Sequence, residues 1–141
     1  MRRKRFLVMI LLLLFVVSGY LAFLSSSLQT AHMERLFTGY LMCRCCAGAP
    51  NGTAADGVDV LKSPEKHTVQ CLKMPACVAS GFGMMIKNKT GNYTFYRFDA
   101  KGSDLAYQNV ICKTAKTDNL VVAVAGKFQN NQIILDNITE K

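Results

Sequence analysis

Residues 93–128, YTFYRFDAKGSDLAYQNVICKTAKTDNLVVAVAGKF, contain two strand-like segments on either side of a helix-like segment. The first six and the last nine of these residues are rich in aromatic and β-branched side chains, which favour strands. Between them, Ser103 or Asp104 is suited to cap a helix that continues to about Thr114. The stretch therefore predicts a strand, a helix and another strand in that order.

Three further strands are predicted outside this stretch, at Leu36–Met42, Gly81–Lys87 and Gln132–Ile138. The polar, Gly- and Asn-containing turns at 89–92 and 129–131 join neighbouring strands as hairpins. The chain is thus predicted to contain five strands, of which the second and third, and the fourth and fifth, form hairpins.

A first helix is predicted to begin at Ser63, with Pro64 at its first position, and to run to about Lys73 before Pro75 ends it. The predicted order is strand, helix, two strands, helix, two strands. A helix between the third and fourth of five strands is typical of the OB-fold. We therefore expect a mainly β protein, an OB-fold-like five-stranded barrel with two short helices. An open α+β sheet with the same strands is the alternative.

The length of 141 residues allows one modest domain, which excludes large multi-domain enzymes and multi-span transporters. The formal net charge is +8, and four of the basic residues lie together at residues 2–5. The remaining positive charge is too small to indicate a nucleic-acid surface, so no nucleic-acid partner is expected.

The N-terminal segment 6–24, FLVMILLLLFVVSGYLAFL, carries no charge. Its length matches the roughly 30 Å hydrocarbon core of a bilayer, so it predicts one transmembrane helix. The preceding basic residues place residues 1–5 in the cytoplasm. Residues 25–34 are a tether, and residues 35–141 are an extracytoplasmic, OB-like domain. A cleaved signal peptide, with Ser25–Ser27 as the best cleavage candidate, is the alternative.

Five segments resemble, in order, a family of small exported or membrane-anchored bacterial proteins with an OB-fold-like domain. They are TGYLMC at 38–43, HTVQCLKMPACVASGFGMMI at 67–86, YRFD at 96–99, DNLVVAVAGKF at 118–128 and QIILDNI at 132–138. The family pattern is a Cys, then His-x-x-x-Cys, then PAC-x-x-SG-x-G. The resemblance implies the fold and a single-pass location in the inner membrane with a periplasmic domain. It implies no catalytic residue, because no biochemical activity is attached to the family.

The cysteines are the residues best suited to form disulfides or to bind a metal ion. Their positions are Cys43, Cys45, Cys46, Cys71, Cys77 and Cys112. An even number of cysteines in an exported domain indicates disulfides. The disulfide candidates are Cys43, Cys45, Cys46, Cys71 and Cys77. We expect the 43–46 cluster and the 71–77 segment to be neighbours in space. A disulfide between them would close a loop and add about 3 kcal/mol of stability. Cys112, inside the second predicted helix, is expected to be a buried free thiol.

A metal site is the alternative role for these cysteines. His67 and Cys71 are spaced i, i+4, so both would lie on one face of the predicted helix. Cys77 follows shortly after Pro75, and Cys43 ends the first strand, which is expected to lie nearby. One histidine and three cysteines form a soft tetrahedral set suited to Zn²⁺ or Cu⁺.

Other signals of function are weak. Tyr93, Phe95 and Arg97 share one side of the third strand and form a candidate ligand platform. Phosphate-loop, dinucleotide, zinc-protease and nucleophile-elbow motifs are absent from the sequence, so an enzyme is not expected. We expect a membrane-anchored binding or accessory module of the cell envelope, with an envelope protein as a possible partner. A thiol-redox-active envelope protein is the alternative.

Overall fold

Residues 35–141, the part of the chain that the computed structural model describes, contain five strands. The strands are β1 (Arg35–Cys43), β2 (Phe82–Lys87), β3 (Tyr93–Phe98), β4 (Val121–Gln129) and β5 (Gln132–Glu140). They pair in the order β1-β2-β3-β5-β4, and β4 pairs again with β1, so the sheet is closed. Every pairing is antiparallel except the short contact between β3 and β5. Closure gives each strand two partners and leaves no free edge.

Short helices connect the strands. They are α1 (Arg44–Ala47), α2 (Val69–Leu72), α3 (Pro75–Ser80) and α4 (Ala100–Ala106), with 3₁₀ turns at Pro50–Gly52 and Pro64–Lys66 and a π-helical turn at Tyr107–Ile111. The first three helices lie between β1 and β2, and α4 lies between β3 and β4. The predicted mainly β class with five strands is confirmed, and each predicted strand is found within two residues of its expected ends.

The burial of side chains alternates along β4 and shows which face of the closed sheet forms the core. Val122 and Val124 are both 0% exposed, while Val121 and Ala123 on the opposite face are half-buried. The fully buried neighbours from other strands include Leu41, Met84, Ile133 and Leu135. Because paired residues in a sheet share a face, these side chains meet inside the closed sheet.

The outer face of β1 and β2 is covered as well. Met42 and Met85 alternate with the interior residues, so they lie on the outer face, yet both are 0% exposed. The turn at Pro64–Lys66 contacts β1, so the segment between β1 and β2 packs over this face. That packing brings the cysteines of the segment back to the end of β1.

The predicted helix from Ser63 to Lys73 is wrong, because the region is divided into shorter pieces. His67 has extended backbone angles (φ −66°, ψ 130°), and Thr68 caps α2 by accepting a hydrogen bond from the Cys71 N–H. A threonine that satisfies a backbone donor at a cap favours a helix start over a helix interior. Pro75 begins α3 instead of ending a helix, as its fixed φ allows at a first position.

The predicted cap of the second helix is also wrong. Asp99 caps α4, and its Oδ1 accepts hydrogen bonds from the N–H groups of Gly102 and Leu135. The Asp99 carboxylate therefore ties α4 to β5 while it satisfies the helix start. The Ser103 hydroxyl instead accepts from the N–H of Phe82.

The prediction that Cys112 is a buried thiol inside this helix is wrong. Cys112 follows the π-helical turn and is exposed.

The predictions for residues 1–5, 6–24 and 25–34 lie outside the described residues. Within 35–141, none of the helices has the length and apolar character that a membrane span requires.

Candidate metal centre

The end of β1 delivers a group of cysteines to one point of the fold. Cys43 is the last residue of β1, and Cys45 and Cys46 follow in the single turn of α1. The Arg44 N–H donates to the Gly81 carbonyl at 2.9 Å, and the Cys45 N–H donates to the Ser80 hydroxyl at 3.2 Å. These bonds hold α1 against the end of α3, which carries Cys77.

Four sulfurs meet there, from Cys43, Cys45, Cys46 and Cys77, and we call them the four-thiol group. The Cys43 Sγ lies 3.0 Å from the Cys77 Sγ and 3.4 Å from the Cys45 Sγ. The Cys77 Sγ lies 3.4 Å from that of Cys45 and 3.7 Å from that of Cys46. All four lie within 4.8 Å of one another, and Cys45 is the exposed member.

These separations are close to what one tetrahedral ion requires. Zinc–sulfur bonds of about 2.3 Å at tetrahedral angles place neighbouring sulfurs about 3.8 Å apart. A disulfide instead needs about 2.05 Å between sulfurs. All six cysteines are free thiols in this structure, and disulfide pairing among them stays a prediction. Small sulfur movements would therefore complete a four-thiolate metal site.

A second group of donors shares one sulfur with the first. Cys46, His67 and Cys71 place one ligand atom each within 4.8 Å of the others, and we call them the Cys46–His67–Cys71 group. The Cys46 and Cys71 sulfurs are 3.7 Å apart. All three residues are only 2% exposed. Cys46 is therefore the residue at which the two groups meet.

Asp56 holds the imidazole of His67. Its Oδ2 lies 2.8 Å from His67 Nδ1 and accepts hydrogen bonds from the N–H and the hydroxyl of Thr68, at 2.8 and 3.0 Å. The contact with Nδ1 is short but not aligned as a hydrogen bond, and neither ring nitrogen has an aligned partner. A buried imidazole with Nδ1 against a carboxylate leaves Nε2 as the nitrogen for a further ligand.

The pKa of Cys46 is shifted in the opposite direction to the pKa values of the neighbouring thiols. Hydrogen bonding from Cys43 lowers the pKa of Cys46 to about 3, assisted by His67 and Cys71 and opposed by burial. The same hydrogen bond, together with burial, raises the pKa of Cys43. Burial and then the neighbouring Cys46 raise the pKa of Cys71 to about 11. Among Cys43, Cys46, Cys71 and Cys77, Cys46 is therefore the residue whose pKa is lowered and whose thiolate form is favoured.

The surroundings of Asp56 favour the ionised form of its carboxyl group. Burial raises its pKa, but the backbone hydrogen bond from Thr68 and the adjacent His67 outweigh burial, so the net pKa is lowered. A charged Asp56 favours the tautomer of His67 that carries its proton on Nδ1.

The predicted proximity of the 43–46 cluster and the 71–77 segment is confirmed. The four predicted ligands are divided between the two groups. Cys43 and Cys77 belong to the four-thiol group, and His67 and Cys71 belong to the Cys46–His67–Cys71 group. The helical-face argument for His67 and Cys71 is wrong, because His67 precedes α2; a cap brings the two residues together instead. Cys45 and Cys46, predicted only as disulfide candidates, are further candidate ligands, and the CRCC cluster is the sequence signal for them.

The predicted platform residues Tyr93, Phe95 and Arg97 lie on the outer face of β3. Tyr93 is half-buried against Tyr40, with ring centroids 5.9 Å apart, and the Lys87 ammonium lies 5.6 Å from the Tyr93 ring centroid. Phe95 is half-buried and Arg97 is exposed. The Tyr93 ring therefore already has partners within the chain, and a ligand role for the three residues stays a prediction.

Among the described residues, a polar cleft and an apolar cavity lie outside the cysteine cluster. A polar cleft of 380 Å³ is lined by Arg44, Ser80, Arg97 and Asp104 among others. Its lining contains no cysteine, but through Arg44 and Ser80 it adjoins the exposed Cys45. An apolar cavity of 330 Å³ is lined by Arg35, Phe37, Ile86, Tyr96 and Phe128.

Comparison of the chain with models of protein families, with curated proteins and with solved structures yields no match. The resemblance to exported OB-fold-like proteins therefore stays a prediction. Within the described residues, the cysteines and His67 form groups that could hold a metal ion, and they are therefore the candidate functional site.

Proposed function

We propose that the four-thiol group binds a soft metal ion, Zn²⁺ or Cu⁺, in a membrane-anchored module of the cell envelope. The observation that carries the proposal is the convergence of four sulfurs, three of them buried, within 4.8 Å of one another. Thiolates are the preferred ligands of both ions, and four of them satisfy a tetrahedral site. The lowered pKa of Cys46 favours the thiolate form that a metal ion requires.

A thiol-redox role is the second candidate, favoured by the 3.0 Å contact between the Cys43 and Cys77 sulfurs. Reactive cysteines combine a lowered pKa with access to solvent. Here the two properties belong to different residues, because Cys46 carries the lowered pKa but is buried, and Cys45 is exposed. That separation supports metal binding over thiol exchange.

The proposed architecture is an OB-like barrel on a single-pass anchor. The closed strand order, the parallel β3–β5 contact and the position of α4 between β3 and β4 support the barrel. The anchor, with residues 1–5 cytoplasmic and 35–141 periplasmic, rests on the charge and hydropathy of residues 1–24. Protease added to intact spheroplasts is expected to digest the domain; a protected domain would contradict this orientation.

Metal content and thiol counting test the function. Full-length protein is purified in detergent under anaerobic conditions, and bound zinc and copper are measured by mass spectrometry. We expect at least one soft ion per chain. Cys45→Ser, which removes an exposed donor, should weaken binding by at least about tenfold, since even loss of an outer-shell partner costs about 10–100-fold.

Cys112→Ser is the matched control, because Cys112 is exposed and lies outside both groups. It should bind metal as the wild type does. Equal binding by wild type and Cys45→Ser, or no binding by either, would refute the metal proposal. The redox candidate instead predicts fewer than six titratable thiols in unfolded, unreduced protein, whether or not a chelator is added.

A further inference from the structure

Cys46 belongs to both donor groups, and this sharing raises the number of ions that the cluster can hold. The four-thiol group already contains the four donors of one tetrahedral ion. The ligand atoms of His67 and Cys71 lie within 4.8 Å of each other and of the Cys46 sulfur, but they are not within this distance of all four sulfurs of the four-thiol group. One ion therefore cannot use all six donors, and two donors are left beside a sulfur that can bridge.

His67 supplies a second, independent indication of a ligand. It is the one buried polar or charged residue among the described core, at 2% exposed, and neither ring nitrogen has an aligned hydrogen-bond partner. Leaving a buried polar atom without a partner destabilises the folded chain. An ion bound at Nε2 would remove this destabilisation, and Asp56 at Nδ1 already orients the ring as carboxylates do for metal-binding histidines.

We propose that the cluster holds two Cu⁺ ions that share the Cys46 thiolate, one in the four-thiol group and one in the Cys46–His67–Cys71 group. This inference rests on the proposed function and extends it from one ion to a bridged pair. Thiolates have a second lone pair for such bridging, and soft thiolates select Cu⁺.

The number of donors favours Cu⁺ over Zn²⁺ in the second group. Structural Zn²⁺ takes four ligands, whereas Cu⁺ accepts three in a trigonal arrangement. The three donors are each only 2% exposed, so solvent has little access to serve as a fourth ligand. The exposed Cys45, beside the polar cleft at Arg44 and Ser80, is the donor that an incoming ion meets first.

The test is an anaerobic titration of the reduced, metal-free, full-length protein with Cu⁺, in competition with a chromophoric Cu⁺ chelator. We expect two ions per chain for the wild type and for Cys112→Ser. His67→Ala should retain one ion, and His67→Cys, which restores a soft donor, should again hold two. X-ray absorption of the loaded wild type should show copper–copper scattering and imidazole nitrogen.

The outcomes separate this inference from the function on which it rests. One ion in the wild type, unchanged by His67→Ala but weakened by Cys45→Ser, would overturn the bridged pair and leave the four-thiol site standing. No Cu⁺ or Zn²⁺ binding by the wild type would overturn both. If His67→Ala does not fold, a wild-type spectrum without copper–copper scattering or imidazole nitrogen still refutes the bridged pair.

Discussion

The Oδ2 atom of Asp56 lies 2.8 Å from Nδ1 of His67, and it also accepts two hydrogen bonds from Thr68, the cap of α2. One carboxylate thus sets the start of a helix and the orientation of a candidate metal ligand. The loop after β1 supplies Asp56, so the position of His67 depends on how this loop folds back on the segment before α2.

Asp56→Asn should weaken metal binding by the Cys46–His67–Cys71 group. The amide removes the negative charge that favours a proton on Nδ1, and loss of such a partner costs about 10–100-fold in affinity. Competition with a chelator measures the change. Asp59→Asn is the control, because Asp59 lies in the same loop but pairs with exposed Lys62. An affinity equal to that of the wild type in Asp56→Asn would show that the carboxylate does not support the ligand.

Removal of metal should lower the thermal stability of the protein. Binding to the folded chain alone stabilises it by about 4 kcal/mol when free metal exceeds the dissociation constant a thousandfold. Addition of a chelator should therefore reduce the melting temperature followed by circular dichroism. The Cys45→Ser variant should show a smaller reduction. A melting temperature that chelator leaves unchanged in the metal-loaded wild type would argue that the bound ion is not linked to folding.

Val124→Asp should destabilise the domain by at least about 3 kcal/mol, because it places a charge without a partner inside the closed sheet. Val124 is 0% exposed and pairs with Phe37 and Ile138. Ala123→Asp, on the half-buried outer face, should cost about 1 kcal/mol. Chemical denaturation compares the two. An equal loss of unfolding free energy in the two variants would contradict the assignment of the Val124 face of β4 to the core.

Gly102→Ala should lower stability even though alanine is the better helix former by about 1 kcal/mol. A Cβ at Gly102 would lie 2.7 Å from the Cβ of Leu135 and 3.1 Å from that of Phe98. Such crowding costs about 1–3 kcal/mol. Gly48→Ala is the control, since its new Cβ would approach only the Arg44 carbonyl, at 3.4 Å. A Gly102→Ala variant that unfolds at higher denaturant concentration than the wild type would contradict the close packing of α4 on β5.

The positions of the strands follow from the amino-acid sequence alone. The segments at Tyr93–Phe98 and Val121–Gln129 are visible because alternation and β-branched residues act over a few neighbouring positions. The turn at Asn130 and Asn131 is visible for the same reason, since both residues have positive φ, which asparagine tolerates. Local preferences are sufficient where the backbone conformation depends mainly on adjacent residues.

The starts of the helices and the grouping of the metal-ligand candidates depend instead on contacts between residues that are distant in sequence. The cap at Asp99 depends on a bond to Leu135, which is 36 residues away, and the break at His67 depends on Asp56 holding Thr68. Cys46 joins both donor groups because α1 meets the end of α3 on one side and α2 on the other, next to the end of β1. The spacing of residues along the chain does not predict these contacts, because each of them closes a loop. The packing of the whole domain determines which residues such a loop brings together.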